Sequence, residues 1–209
     1  MDLTAPGATY PGTPPFPPAP LKLAVILASN RHGRFAPVIA EWFLPKAEKH
    51  AEFTVDVIDL ADADLPTALS HEPAPEVRAE LAKVSSRLAD ADAFVVLTPE
   101  YNHSFPAGIK NLIDWHYTPW RAKPVGFVSY GGISGGLRAV EQLRQVFAEL
   151  HAVTVRDTVA FANAGALFDE TGRHKDPDAA DAAATTMLDQ IAWWGYALRD
   201  AKAARPYTA

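Results

Sequence analysis

The chain has 209 residues, is 48% hydrophobic and 21% charged, and carries a formal net charge of -6, enough to bury one sizeable core with no surplus that asks for a second. A net-negative protein argues against nucleic-acid and anionic-membrane partners, which are met through positive faces. With no cysteine in the chain, disulfides, thiolate-held metals, iron–sulfur clusters and thiol nucleophiles are excluded.

Residues 1–20, MDLTAPGATYPGTPPFPPAP, lack the basic and continuous apolar regions of a secretory signal. Their proline content favours extended, solvated backbone. They are read as an arm, either a leader outside the fold or a strap around a partner subunit, ahead of a single domain over 21–209. No later apolar run approaches bilayer-spanning length, so a cytoplasmic protein acting on small molecules, without membrane or nucleic acid, is expected.

KLAVILA (22–28) is a nearly continuous apolar run, as in a strand covered on both faces. In PVIAEWFLPKAEKH, Val38, Ile39, Trp42 and Phe43 share a helical face with Pro37 in the first turn, and Pro45 is expected to kink or shorten the helix. FTVDVIDL (53–60) reads as a second strand, residues 76–91 as a helix, and AFVVLT (93–98) as a third strand. A helix over 107–115 follows, then a fourth strand PVGFVSY (124–130), an amphipathic helix beginning at Leu137, and a fifth strand AVTVRD (152–157). A polar excursion precedes a last helix over 178–202. Strands alternating with helices predict an α/β fold: a doubly wound, five-stranded parallel sheet with helices on both faces. Ligands of such sheets bind outside the carboxyl ends of the strands, so the loops after the first, third and fourth strands are expected to converge.

In the first loop, SNRHGRFA, Ser29, Arg31 and Arg34 stand before a helix N-terminus, where free N–H groups and guanidinium forks suit a phosphate. The plainer reading is a capping serine with solvated arginines. The loop matches neither GxxxxGK[ST] nor GxGxxG. In the second, PEYNHSFP, Pro99 and Pro106 stiffen a segment that offers backbone groups and the Tyr101 ring to the edge of a flat heterocycle; an ordinary surface loop with packed aromatics is the alternative. In the third, SYGGISGG, the glycines permit close backbone approach, although a tight turn needs them too. His103, His116 and His151 form no compact ligand set, so no metal site is expected. Arg173, His174 and Lys175 are either a solvated loop or a contact for a nucleotide phosphate.

Taken together, ASNRHGR, LTPEYNHSFPAGIKNLIDW and SYGGISGGLRAVEQLRQVFAELH, in this order over residues 21–157, resemble the NADPH-dependent FMN reductase family, whose fold is flavodoxin-like. The resemblance implies that Ser29, Arg31 and Arg34 hold the phosphate of FMN. It places Pro99, Glu100, Tyr101, Asn102 and His103 at the pyrimidine and N5 edge of the ring, with Gly131 and Gly132, after Tyr130, offering amides to the other side. Ala28 departs from the glycine usual in relatives, and Arg34 from a small hydroxyl residue. The segment with Trp115 and Trp120 is expected near a dimer interface and the flavin mouth. The implied protein is a homodimeric or tetrameric enzyme in which NADPH or NADH reduces FMN for a small-molecule acceptor: a quinone, free flavin, azo compound or metal oxyanion. A flavodoxin-like electron carrier without a nicotinamide site is the alternative.

Overall fold

The computed structural model describes residues 19–208; the arm assigned to 1–20 lies, apart from its last two residues, outside the described residues. Five positions of an all-parallel sheet are filled in the order β2-β1-β3-β4-β5 by β1 (Leu21–Leu27), β2 (Phe53–Asp59), β3 (Ala93–Pro99), β4 (Pro124–Tyr130) and β5 (Val153–Thr154). The helices between them are α1 (Ala36–Lys49), α2 (Pro75–Asp90), α3 (Ala107–Trp115) and α4 (Leu137–Glu149). The strand order reverses about β1 and β3, which makes the crevice above these strands the site such sheets use for ligands.

Period-2 alternation divides the core. Leu21, Leu23, Val25 and Leu27 of β1, with Val95 and Leu97 of β3, pack towards α1 and a long final helix, α6 (Asp178–Ala204). Ala24 and Ile26, with Phe94, Val96 and Phe127, pack towards α2, α3 and α4. Both faces are dry, which is why β3 and β4 read as unbroken apolar runs. Burial of each such Leu, Ile or Phe is worth about 1.5–3 kcal/mol, and this rigid floor fixes the loops above it. The last helix lies close on the sheet. A Cβ at Gly126 would fall 2.6 Å from Ile191 Cδ1, and one at Gly195 would fall 2.5 Å from Leu21 Cδ1.

Two expectations are corrected. Pro45 does not shorten α1, which continues to Lys49; Ile39, Trp42, Phe43 and Ala47 hold both halves of the helix on the sheet. The fifth strand is not one run over 152–157 but two short pieces, β5 and β6 (Val159–Phe161), each paired with β4. Between them Arg144 of α4 takes the carbonyls of Val155 and Arg156, and Gln190 of α6 receives Asp157 N–H. Side chains replace ladder bonds there, so the strand breaks. A short helix, α5 (Ala164–Leu167), then opens the polar excursion.

Candidate functional site at the carboxyl ends of the central strands

The first loop, residues 28–35, leaves β1 with Ser29 fully buried, its Oγ 2.6 Å from Tyr101 Oη. From residue 29 to 35 no backbone N–H donates to another group among the described residues, and α1 begins without a side-chain cap. Unpaired amides converging on a helix N-terminus can hold an anion. Arg31 is exposed beside them, makes no ion pair among the described residues, and lies 6.0 Å from the Tyr101 ring centroid. Arg34 has a different task. Its guanidinium makes a two-pronged pair with Asp59 at the end of β2, and Nη1 also donates to the Ser29 carbonyl at 2.7 Å. The Asp59 hydrogen bond raises its pKa despite burial. Arg34 therefore fastens the loop to β2 instead of standing ready as a second phosphate ligand, a correction whose cause, Asp59, nothing local in the sequence announces.

The second loop is preformed. Pro99 closes β3 opposite Tyr130, Glu100 N–H donates to the Tyr130 carbonyl at 3.1 Å, and Tyr101 and Ser104 exchange backbone bonds of 2.8 and 3.1 Å. Between them Asn102 and His103 have φ of 50° and 74°, the signature of a type I′ turn. Left-handed backbone costs a non-glycine residue about 1–2 kcal/mol, so something must hold it. Gln142 of α4 does so, donating to the His103 carbonyl and accepting from Ser104 Oγ.

Glu100 also braces this loop. Its side chain, 8% exposed, accepts from Ser134 Oγ at 2.6 Å and from the backbone and guanidinium of Arg138 at the start of α4. Burial works against its charge, but the bonds from Ser134 and Arg138 outweigh it and hold the carboxyl below its usual range. The Glu100 carboxylate is thus turned to the third loop rather than to a ligand edge.

In the third loop Gly135 and Gly136 carry positive φ, and a Cβ at Gly136 would meet Ser129 Cβ at 2.7 Å. Gly131 and Gly132, expected to offer amides together, differ: Gly131 N–H is spent on the Phe161 carbonyl at 3.2 Å, while Gly132 N–H has no partner among the described residues. Tyr130 lies in the core with its Oη beside Ser29, buried and without a well-formed hydrogen bond among the described residues. Burial pushes that phenol far above its usual range, so it remains a neutral donor.

The loops after β1, β3 and β4 therefore meet as expected. Residues outside them behave differently. Trp120 is fully buried against Phe94 and Phe147 rather than at a mouth. Trp115 and Asn111 donate to the carbonyls of Pro66 and Leu65, pinning the segment between β2 and α2. His116 is buried between Ser85 and the Leu112 carbonyl, and no cluster of three metal-binding side chains occurs among the described residues. His174 packs on Phe168 and Lys175 holds the Ala166 carbonyl, leaving Arg173 at the edge of a cleft with Lys46 and Trp42. A second cleft, of about 280 Å³ between β1, β2 and α2, lies at the opposite ends of the strands; its Arg87 pairs with Asp56 and its Lys22 with Asp90.

Comparison with known proteins agrees with this fold. The profile of the NADPH-dependent FMN reductase family matches residues 21–166. An NAD(P)H-dependent FMN reductase of Schizosaccharomyces pombe is 37% identical over 132 residues, covering 60% of this chain and 64% of that protein. A quinone reductase of Escherichia coli K12 is 34% identical over 145 residues, 65% of this chain and 73% of its own. Among solved structures, the flavoenzyme NAD(P)H:(acceptor) oxidoreductase of Paracoccus denitrificans superposes with a TM-score of 0.68 at 21% identity, covering 85% of this chain and 98% of that one, a likeness of fold. The alignment thus spans just under two thirds of the fission-yeast relative. An all-parallel sheet of this order, three loops converging at its switch point and a family profile over most of the chain lead to one conclusion: the chain belongs to the NADPH-dependent FMN reductase family.

Proposed function

We propose that the chain is an FMN-dependent NAD(P)H oxidoreductase that delivers electrons to a small-molecule acceptor, with a quinone as the first class to test. The observation that carries this reading is the run of unpaired amides at residues 29–35, with Arg31 beside it, one loop away from a rigid turn at 99–104. The residues present fit FMN: an anion site for the phosphate, an unpartnered buried donor at Tyr130 and a free amide at Gly132. FMN bound there would supply hydride acceptance at N5 from NADPH and onward electron delivery.

The chain's own contribution is positional. Backbone N–H groups of 29–35 and Arg31 hold the phosphate. The Ser29 hydroxyl, within hydrogen-bond reach of the Tyr101 hydroxyl, has one proton to donate to the same anion. The 99–104 turn, held by Glu100 and Gln142, would hold the edge of the flavin ring, and Gly132 N–H would donate a hydrogen bond to its polar edge. No side-chain acid or base is assigned to hydride transfer. The apolar Ile133, 84% exposed, and Leu137 rim the third loop, which supports a homodimer in which a second subunit covers this edge.

The test is anaerobic addition of NADPH, then NADH, to FMN-loaded protein. Bleaching of the visible flavin band, followed by recolouring on addition of a benzoquinone, is expected. A flavin left oxidised by both nucleotides would mean an electron carrier instead.

A further inference from the structure

Ser29 has three polar groups, and two of them are already committed. Its carbonyl accepts from Arg34 Nη1 at 2.7 Å, and Arg34 is itself paired with Asp59 at the end of β2. Its hydroxyl, on a fully buried side chain, lies 2.6 Å from Tyr101 Oη. Only the backbone N–H is unspent among the described residues. The amide that opens the 29–35 run is thus fixed from two sides, and a donor ordered in advance loses less entropy when it binds.

Tyr101 reaches Ser29 from the opposite loop. Its backbone exchanges bonds with Ser104 in the turn that the flavin reading assigns to the ring, whereas its hydroxyl sits at the start of the amide run. Among the described residues this is the one side-chain hydrogen bond joining 28–35 to 99–106. The same ring faces the Arg31 guanidinium, 6.0 Å from its centroid, the outer limit of a cation–π contact. Tyr130 Oη, buried beside Ser29, makes no well-formed hydrogen bond among the described residues and so does not duplicate the link. The turn itself needs no help from the Tyr101 hydroxyl, because reciprocal backbone bonds and Gln142 close it.

We propose that Tyr101, through its hydroxyl, is a positioning residue of the phosphate cradle: it sets Ser29, and with it the amide that heads the anion run. This rests on the FMN reading above and adds that one side chain from the ring loop serves the other end of the cofactor. Loss of that hydroxyl leaves the ring turn closed and loosens the cradle alone, so its cost falls on the phosphate.

Tyr101→Phe keeps the ring and removes only the hydroxyl. In titrations of the full-length protein, FMN affinity is expected to fall about threefold to tenfold, the worth of one hydrogen bond, with riboflavin affinity unchanged and far-UV circular dichroism intact. Ser29→Ala removes the partner, and adding Tyr101→Phe to it is expected to cost nothing further. Equal losses for the two flavins, no loss for FMN, or a full second loss in the Ser29→Ala background would each overturn the proposal. Unaltered protein that takes up neither flavin would instead overturn the FMN reading on which it rests, so the two failures are told apart.

Discussion

The two loops on either side of the switch point are built on opposite principles. The β1–α1 loop keeps its backbone donors unspent and its Arg31 exposed, whereas the β3–α3 loop has its turn closed by reciprocal backbone bonds and clamped by Gln142, Glu100, Ser134 and Arg138. On the proposed reading a bound anion completes the first region, whereas the second is finished beforehand. A phosphate can order its own cradle through charge-assisted bonds. A flat ring offers no such leverage, and about 1 Å of misplacement can cost on the order of a hundredfold in rate. On the proposed reading the rigid loop stands where placement matters most.

The largest expected effect strikes the β4–α4 turn that braces the rigid loop. Gly136→Ala puts a methyl into Ser129 at φ +87° and is expected to destabilise the fold by about 2–4 kcal/mol, read as a lowered denaturant midpoint. Next, Arg31→Ala is expected to weaken FMN binding about tenfold to a hundredfold while leaving riboflavin nearly unchanged; equal losses for the two flavins would deny it a phosphate role. Glu100→Ala is the mirror case. It frees the ring loop from Ser134 and Arg138, and a loss of about tenfold for FMN and riboflavin alike is expected in the same titrations.

Smaller still, His103→Gly removes a strained left-handed residue. A gain of up to about 1 kcal/mol in stability is expected, together with slower turnover from a looser tip, a split that thermal melts and steady-state kinetics resolve. The opposite end of the sheet supplies a control. Lys123, at the start of β4, is buried with its ammonium on the carbonyls of Leu88 and Ala89, and burial lowers its pKa from 10.5 to about 8. The folded state sheds this proton first, so stability contributed by the group rises as pH goes from about 8 to 10.5. Denaturation across that window should show the rise, and Lys123→Met should flatten it without changing FMN affinity.

Much of this was legible in the residues. Continuous apolar runs announced β3 and β4, and alternation of strand with helix announced the parallel sheet and the end at which its loops meet. What escaped reading rests on partners distant in the chain. Arg34 is claimed by Asp59, 25 residues on, and Glu100 by Ser134 and Arg138, 34 and 38 residues on. Local pattern names a residue's chemistry but not which neighbour will use it. The broken fifth strand has the same cause, since Arg144 and Gln190 reach its backbone from two helices. Gly126 and Gly195 look like ordinary glycines until α6 is laid across them.

The central claim is that FMN sits across these two loops, and the most direct measurement is the visible spectrum of the purified protein with identification of the chromophore released on denaturation. Near-stoichiometric FMN, or its uptake to one per chain when added, is the result predicted. A colourless protein that takes up no FMN at excess concentration would contradict the account, leaving the fold in place and the β1–α1 amides without their anion.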